Sequence, residues 1–422
     1  MASYARTAAG FLRSVVGPGA IPVRESATIR FLNRWRRLER ALASNCSTVI
    51  VCSTNSWLPQ IRREHALIAL AKRAGHRCVF VERPRDIRSL GDRRARGRWW
   101  HGFRPRSPAV EHAAEVASWS TLVPGHLSDG AERLESWLLR RLLTMNVDAR
   151  TTIVATAPWQ WPAVTRVAAR RVFDCGDDWS GLLPGRTSRM RRLYRQISEE
   201  ADAIVVVNES MTRYFDPSKT VIVPNAAGDD VFDPPLSQRP RDRQLVYVGT
   251  LTPRFDERLV SDLLDAAPDW RLDLFGPCSY RRRGDRPSIE LQALLDRLPG
   301  RVQWHGAIDR TGLASAMDSG RTLLIPHRPE FSVGQNTQKL YEYAARGRPT
   351  ISTRWDSQLA PMGPPHLALA DDSDGFCEAL RHLESDPSER AVQRRAWAEL
   401  HHWSNRWSDW SAAVLGPRPR LV

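Results

Sequence analysis

The chain has 422 residues, of which 42% are hydrophobic, and its length exceeds the roughly 250 to 300 residues at which one core usually gives way to two. Its apolar runs are far shorter than the roughly 20 residues of a membrane-spanning helix, and no secretory leader follows Met1, so we expect a cytoplasmic protein. The formal net charge of +15 predicts an anionic partner: nucleic acid, an acidic membrane surface or phosphorylated substrates. The six cysteines lack the spacing of a zinc site and are expected to be free thiols.

Residues 1–45 are predicted to form a basic N-terminal appendage, because the first convincing strand begins only at Thr48. Apolar residues recur at helical spacing between Ile29 and Leu42, with arginines interleaved. Two interpretations stay open: a helix packed on the first domain with a solvated basic face, or a helix on a membrane surface.

A first domain is predicted over residues 46–225, where short strands alternate with helices. The predicted strands cover residues 48–52, 78–81, 152–156, 171–174, 203–207 and 220–223. Alternation of this kind favours a parallel sheet covered by helices on both faces. An insertion, Arg83 to Arg106, carries nine arginines and the pair Trp99-Trp100. It is either a solvated loop or a surface for lipid headgroups or nucleic-acid bases.

A second domain of the same kind is predicted over residues 244–385, after a linker rich in Pro and Asp at 226–243. Its predicted strands cover residues 244–248, 271–275, 301–304, 321–325 and 349–352. Residues 386–422 are predicted to form a C-terminal helical segment. The fold class is therefore α/β, with two doubly wound Rossmann-like domains facing one another across a cleft, because ligands of such sheets bind beyond the carboxyl ends of the strands.

The strongest local pattern is a short helix over residues 336–347, with Asn336 as its N-cap and Gly347 as its C-terminal stop. Lys339 lies in its first turn, and Glu342 follows on the same face. The lysine suits a diphosphate and the glutamate suits two ribose hydroxyls, although the two residues could also be an ordinary surface pair.

Two other segments end strands with polar residues. Gly249 and Thr250 form a turn followed by Arg254, which suits close backbone approach to phosphate. In the first domain, three carboxylates follow a strand and provide either a general base or helix caps and ion pairs with Arg186 or Arg189. These carboxylates are Asp174, Asp177 and Asp178.

The order of these segments resembles that of bacterial GT-B glycosyltransferases. The matching segments are residues 173–179, 200–209, 223–225, 247–250 and 339–343. The sequence is most similar to the group 1 enzymes that assemble capsules, teichuronic acids and exopolysaccharides. The resemblance covers roughly residues 48–400 and is most specific over residues 336–347.

The resemblance implies a role for each matching position. Lys339 and Arg254 would contact the donor diphosphate, Glu342 the ribose, and the turn at Gly249 and Thr250 the phosphates. The sugar-phosphate pocket would be lined by Asn336, Thr337 and Gln338. Residues 223–225 would form the interdomain hinge, and the helical pattern after Asp386 would cross back onto the first domain.

One departure from the family pattern concerns the stereochemical outcome. Many retaining members have a glutamate eight residues before the position of Glu342, where this sequence has Gly334; Glu330 is the nearest substitute. If the enzyme inverts, a carboxylate must deprotonate the acceptor, and Asp177 is the first candidate, with His65 the second. Neither a metal nor another cofactor is expected, because such enzymes stabilise the leaving group with fixed cations and amide dipoles.

These features predict a metal-independent hexosyltransferase that uses a UDP- or GDP-type donor and a saccharide or lipid-linked acceptor in cell-surface glycan synthesis, at the inner leaflet of the membrane. Two alternatives stay open: a nucleotide-sugar 2-epimerase of the same fold, and a basic nucleic-acid-binding protein. The sequence lacks a zinc finger and a ribonucleoprotein-type aromatic motif, so we expect no nucleic-acid partner.

Overall fold

The computed structural model of the protein describes residues 47–57, 62–86, 114–236, 242–280, 286–332, 334–356 and 359–416. The predictions for the basic appendage at 1–45 and for most of the arginine-rich insertion lie outside these residues. Within them, no helix combines the length and apolarity that crossing a bilayer requires.

The first domain is built on a seven-stranded parallel sheet with the strand order β3-β2-β1-β4-β5-β6-β7. Its strands are β1 (Thr48–Cys52), β2 (Arg77–Val81), β3 (Glu115–Ala117), β4 (Thr151–Ala155), β5 (Arg170–Cys175), β6 (Ala203–Val206) and β7 (Thr220–Ile222). Its helices are α1 (Arg63–Arg73), α2 (Asp129–Thr144), α3 (Trp161–Val164), α4 (Trp179–Leu182) and α5 (Thr187–Glu200). The central strands are rich in Val and Ile and buried along their whole length, as expected of a sheet covered on both faces.

The second domain contains a six-stranded parallel sheet with the order β10-β9-β8-β11-β12-β13. Its strands are β8 (Gln244–Val248), β9 (Arg271–Phe275), β10 (Val302–Trp304), β11 (Thr322–Ile325), β12 (Thr350–Thr353) and β13 (Ala368–Ala370). The helices from the interdomain segment to the C-terminus are α6 (Asp229–Phe232), α7 (Glu257–Ala266), α8 (Ile289–Arg297), α9 (Arg310–Asp318), α10 (Lys339–Ala345), α11 (Leu359–Met362), α12 (Ser373–Leu383), α13 (Ser388–Leu400) and α14 (Trp403–Leu415).

The strand register brings the polar strand ends of each sheet to one edge. In the first sheet Ile50 of β1 pairs with Val79 of β2 and with Ile153 of β4, so the carboxyl ends of these strands lie side by side. In the second sheet Val248 pairs with Phe275. The predicted fold class, two doubly wound Rossmann-like domains, is therefore confirmed.

The connecting segment at 226–243 holds more structure than a linker. Helix α6 lies inside it, and Ala226, Ala227 and Val231 are fully buried. The backbone of Ala227 exchanges hydrogen bonds with residues 401 and 403, near the start of α14. The segment that joins the two domains is thus packed against the C-terminal helices.

Helix α14 lies on the first domain, although it comes last in the chain. The carbonyl oxygen of Val414 accepts hydrogen bonds from Thr152 Oγ1 at 3.2 Å and from Arg170 Nε at 3.2 Å. Trp410 is buried among first-domain residues such as Val205. The preceding helix stays with the second domain, where Arg394 Nε donates to the carbonyl oxygen of Gly347 at 3.1 Å.

Candidate functional site

A cleft of about 510 Å³ lies between the carboxyl ends of the two sheets. Loops that follow strands of both domains line it, and residues 335–339 enter it from the start of α10. All eight residues predicted to bind the donor line this cleft: Gly249, Thr250, Arg254, Asn336, Thr337, Gln338, Lys339 and Glu342. Gly249 and Glu342 are 93 positions apart in the sequence, and the tertiary structure brings both of them to this cleft.

Lys339 lies against the glycine turn after β8. Its Nζ atom is 5.1 Å from the centre of the Tyr247 ring, a cation–π contact. Burial lowers the pKa of Lys339 to about 8, and the positive charge of Arg254 adds to this effect, while Glu342 opposes it. A bound anion would relieve the unfavourable environment of this ammonium group.

Gly249 and Gly276 follow neighbouring strands and are in close contact. Gly249 has a φ of +154°, and a Cβ there would lie 2.4 Å from Lys339 Cε. Gly276 has a φ of +136°, and a Cβ there would lie 2.1 Å from the Gly249 carbonyl oxygen. Both positions require glycine. The absence of a side chain at each lets Lys339 and the backbone of Gly276 lie close to Gly249.

Glu342 lies one turn after Lys339 and also faces the cleft. Its Oε1 atom accepts a hydrogen bond from Gln338 Nε2 at 2.8 Å. Burial raises the pKa of Glu342 to about 7, and the nearby carboxylate of Asp230 adds to the increase. The carboxyl group retains a second oxygen with which it can accept a hydroxyl hydrogen bond.

Arg254 connects the two sides of the cleft. Its Nη2 atom forms an ion pair with Asp177 Oδ1 at 2.8 Å, and its Nε atom donates to the carbonyl oxygen of Phe331 at 3.0 Å. Asp177 belongs to the first domain and Arg254 to the second. The predicted phosphate ligand and the predicted base are therefore direct partners.

The helix predicted over residues 336–347 is shorter than expected, and its predicted N-cap was wrong. Helix α10 begins at Lys339 with Gln338 as the N-cap residue, and Gln338 makes no side-chain cap bond. Asn336 instead accepts a hydrogen bond from the backbone of Asn225 at 2.8 Å, and Asn225 Nδ2 donates to the Asn336 carbonyl. The predicted stop is present, because Gly347 adopts a φ of +65° just after the helix.

The three carboxylates at the end of β5 and just after it have different surroundings. Asp174 is 4% exposed and binds Arg63 and Trp410, while Asp177 pairs with Arg254; both carboxylates line the cleft. Asp178 is the N-cap of α4 and accepts hydrogen bonds from Ser180. Capping was thus the right interpretation for Asp178 alone.

Arg186 and Arg189 do not pair with these carboxylates. Both arginines bind Glu132 of α2, with Arg186 Nη2 at 3.0 Å from Glu132 Oε2. The alternative interpretation of the carboxylates as partners of Arg186 or Arg189 was therefore wrong.

His65, the second predicted base, lies outside the lining of the cleft. It is 3% exposed and packs between the rings of Trp57 and Phe80. Its Nδ1 atom accepts the backbone hydrogen of Arg62 at 3.2 Å, and its Nε2 atom lies 3.1 Å from the Ser56 carbonyl oxygen. Both ring nitrogens serve the local fold, so this geometry does not suit His65 for the role of acceptor base.

The structure explains why glycine replaces the family's glutamate at position 334. Gly334 has a φ of +75°, and a Cβ there would lie 2.9 Å from Met211 Sδ and 3.2 Å from Asp178 Cβ. A glutamate would require both first-domain residues to move. Glu330, the nearest substitute, is exposed and does not line the cleft.

Several residues of the cleft gave no usable signal in the sequence. Glu64 faces the cleft and accepts hydrogen bonds from Ser53 at 2.7 Å and Asn55 at 2.6 Å, yet a glutamate at the start of a helix is typical of a solvated position. His327 is 2% exposed, and burial beside Lys339 and Arg254 lowers its pKa well below the ordinary value. Gly276 could have been found, because it ends a strand as Gly249 does.

No group of three or more His, Cys, Asp or Glu side chains suited to a metal ion occurs among the residues with described positions. Charged groups from both domains line the cleft: Arg62, Arg63, Glu64, Arg83, Asp174, Asp177, Arg254, Asp309, Arg310, Lys339 and Glu342.

Two parallel, doubly wound sheets whose carboxyl ends face a shared cleft define the GT-B fold. Residues 250–412 match the family model described as Glycosyl transferase-like. The chain therefore has the GT-B fold, residues 250–412 are similar to glycosyl transferases, and the resemblance noted from the sequence is confirmed.

Known proteins of this kind are similar to the chain over most of its length in structure and over part of it in sequence. TuaH of Bacillus subtilis (strain 168), named as a teichuronic acid biosynthesis glycosyltransferase, is 24% identical over 263 residues, which cover 55% of this chain and 64% of the relative. Sucrose-phosphate synthase from Thermosynechococcus elongatus matches with a TM-score of 0.66 at 16% identity, covering 86% of this chain and 97% of that one. Anabaena HepE in complex with UDP-glucose matches with a TM-score of 0.61 at 13% identity, with coverages of 86% and 97%.

Proposed function

We propose that the protein is a glycosyltransferase that moves a hexose-type sugar from a UDP- or GDP-type donor to a lipid-linked or polysaccharide acceptor in cell-surface glycan synthesis. The observation that carries this proposal is the meeting of Lys339, Arg254 and the Gly249 turn with Glu342 in one cleft. Two cations and a glycine turn suit a diphosphate, and a carboxylate one helical turn away suits the ribose.

The comparisons support this choice of substrates. The Anabaena HepE structure contains UDP-glucose, and a trehalose-6-phosphate enzyme from E. coli with a TM-score of 0.65 and 13% identity is bound to UDP-2-fluoro glucose. The name of the TuaH relative assigns it to teichuronic acid biosynthesis, which favours a cell-surface polymer or its lipid-linked precursor as acceptor. The net charge of +15 suits work at the anionic inner surface of a membrane.

The chemistry follows from the charges in the cleft. An acceptor hydroxyl attacks the anomeric carbon, the new C–O bond forms, and the bond from that carbon to the phosphate oxygen breaks. The nucleoside diphosphate leaves with the electron pair, and Lys339 and Arg254 stabilise its charge at fixed positions. We propose that these two cations do the work that a metal ion does in other transferases.

Asp177 is our proposed base for the acceptor proton if the reaction inverts the anomeric centre. It faces the cleft from the first domain, and its side chain is 32% exposed. Glu64 is less suitable because Ser53 and Asn55 already donate to it. When a donor phosphate takes up the hydrogen bonds of Arg254, Asp177 loses its present partner and is released for the acceptor.

The donor assignment is tested by calorimetric titration of UDP- and GDP-sugars into the purified protein and its Lys339→Ala variant. We expect binding to become about 10- to 100-fold weaker in the variant, because a charged hydrogen-bond donor is lost. Lys72→Ala, an exposed lysine in the last turn of α1, is the matched control and should bind like the wild type. Equal affinity in Lys339→Ala and the wild type would contradict the proposal.

Transfer itself is tested with a radiolabelled donor sugar and a membrane extract as the source of acceptor. We expect label to appear in the lipid or polymer fraction only when the extract is present. Isomerisation of the donor in the absence of extract would instead identify an epimerase.

A further inference from the structure

Arg63 is a buried arginine whose hydrogen bonds are incomplete. It is 8% exposed, begins α1 and lines the cleft. Its Nε atom donates to Asp174 Oδ1 at 2.9 Å, and its Nη1 atom donates to the carbonyl oxygen of Pro224 at 3.2 Å. Its Nη2 atom is buried and has no hydrogen-bond partner in the part of the chain that the structure describes.

Arg406 of α14 has the same deficit. Its Nε and Nη2 atoms are buried without a partner among the residues with described positions. Trp410 lies four residues later, on the same face of the helix, and its indole donates to Asp174 Oδ2 at 3.0 Å. Asp174 is the carboxylate that holds Arg63, so Arg406 lies close to Arg63.

The charges around the two arginines agree with this placement. Burial lowers the pKa of Arg406, and the positive charge of Arg63 lowers it further. The carboxylate of Asp409 and the hydroxyl of Tyr341 act in the opposite direction but make no hydrogen bond to Arg406. The buried carboxylate of Asp174 pairs with Arg63 and accepts the Trp410 indole hydrogen bond, and Nε and Nη2 of Arg406 stay without an acceptor among the described residues.

Three donor nitrogens without hydrogen-bond partners, on two neighbouring cations, are physically unfavourable. A buried charge without a partner costs free energy, and the cost falls when an acceptor with the opposite charge is supplied. A water molecule can accept a hydrogen bond but brings no negative charge. The oxygens of a tetrahedral oxyanion supply both, and guanidinium groups match their geometry.

We propose that Arg63 and Arg406 form a site for a phosphate-class oxyanion where the first domain, the hinge at Pro224 and α14 meet. The site is separate from Lys339 and Arg254 and does not depend on the donor assignment. Because Arg63 also lines the cleft, the oxyanion is either free phosphate or a phosphoryl group that a substrate extends to this end of the cleft.

Thermal unfolding of the full chain in inorganic phosphate, compared with chloride at the same ionic strength, tests the proposal. We expect phosphate to raise the Tm of the wild type by about 2 to 4 °C at concentrations well above the Kd. Lys339→Ala should keep this increase, and Arg406→Gln should lose it. The matched control Arg258→Gln removes an equal charge from a side chain that is 90% exposed, and it should respond like the wild type.

Two results would overturn the proposal: no phosphate-specific increase in the wild type, or an increase that Lys339→Ala abolishes while Arg406→Gln keeps it. The source of the oxyanion follows from adding UDP to the phosphate series. Competition between the two ligands would support a phosphoryl group of a substrate, and additive increases in Tm would support free phosphate. Failure of nucleotide-sugar binding would leave the phosphate result unaffected, so the two proposals are tested separately.

Discussion

Lys339 and Glu342 carry opposite charges on one helix face, and the environment perturbs both. Burial lowers the pKa of Lys339 to about 8 and raises the pKa of Glu342 to about 7. Burial thus disfavours the charged form of each group. Such perturbed groups are typical of sites where a bound ligand stabilises the charges.

Donor affinity should fall as the pH rises above about 8, because the proposed donor site binds the diphosphate through the protonated amine, and the pKa of Lys339 is about 8. The loss approaches about tenfold per pH unit. Titration of a nucleotide sugar between pH 7.5 and 9.5 measures it, in a range above the pKa of about 7 of Glu342.

Lys339→Arg provides the control for this titration, because a guanidinium keeps its charge over the whole range and the decline should disappear. The stability of the fold should change with pH in the opposite direction to donor affinity. A lowered pKa means that the charged lysine destabilises the fold below about pH 8, and this cost fades as the pH rises toward the ordinary value of 10.5. Affinity that stays flat to pH 9.5 in the wild type would show that Lys339 does not contact the phosphates.

The turn after β8 is the element that fixes where Lys339 lies. Gly249 donates to the carbonyl oxygen of Phe275 at 2.8 Å, at the end of the neighbouring strand. Gly276 follows on that strand, and the two glycine backbones approach within a distance that no side chain would permit. The two glycines meet because β8 and β9 are parallel and their last residues, Val248 and Phe275, are paired.

Gly249→Ala should remove donor binding while the protein stays folded. The new Cβ would lie 2.4 Å from Lys339 Cε, so the lysine must leave its position. Gly300→Ala is the matched control: its φ is +78°, which strains alanine by about 1 kcal/mol, but nothing lies within 4 Å of the added carbon.

Calorimetry and thermal unfolding of the two glycine variants separate strain from displacement of the lysine. We expect both variants to lose some stability and only Gly249→Ala to lose affinity for nucleotide sugars. Normal affinity in Gly249→Ala would mean that the position of Lys339 in the structure is not the one that binds the donor.

At the scale of the whole molecule, a few polar contacts join the two domains around the cleft. Asn225 of the predicted hinge bonds to Asn336, and Arg254 of the second domain pairs with Asp177 of the first. Helix α14 also returns to the first domain, where Trp410 binds Asp174. The relative position of the domains therefore decides whether the cation and the carboxylate meet.

Asp177→Asn and Arg254→Gln break the same ion pair and should have different effects. Asp177→Asn should lower kcat by about 100- to 10,000-fold with donor binding retained, because the proposed general base is lost. Arg254→Gln should weaken donor binding as well. Asp262→Asn, on an exposed face of α7, is the control for the charge change.

Transfer rates and donor affinities, measured for all three variants, distinguish the role of Asp177 from that of Arg254. Full activity in Asp177→Asn would remove it as the base and make its pairing with Arg254 a structural contact only. Loss of donor binding in Asp177→Asn would instead show that it positions Arg254.

The fold class and the second-domain residues that face the cleft could both be predicted from local patterns in the sequence. Those residues follow strands or begin a helix with a marked stop, and such local signals depend on neighbours in the chain. The N-cap at Asn336 was predicted wrongly because Asn336 bonds instead to Asn225, which is 111 positions away. The sequence around His65 does not indicate that Trp57 and Phe80 enclose it, since Phe80 lies on β2 and His65 on α1.

The partners of the carboxylates and arginines could not be predicted in this way, because they depend on the packing of distant segments. Asp174, Asp177 and Asp178 are adjacent in sequence, yet one holds Arg63, one pairs with Arg254 and one caps a helix. These roles depend on burial and on charges that arrive from the other domain and from α14. Local sequence sets which strand ends carry polar groups, whereas packing between distant segments sets the partner of each group, because hydrogen bonds and desolvation act over a few ångströms of space.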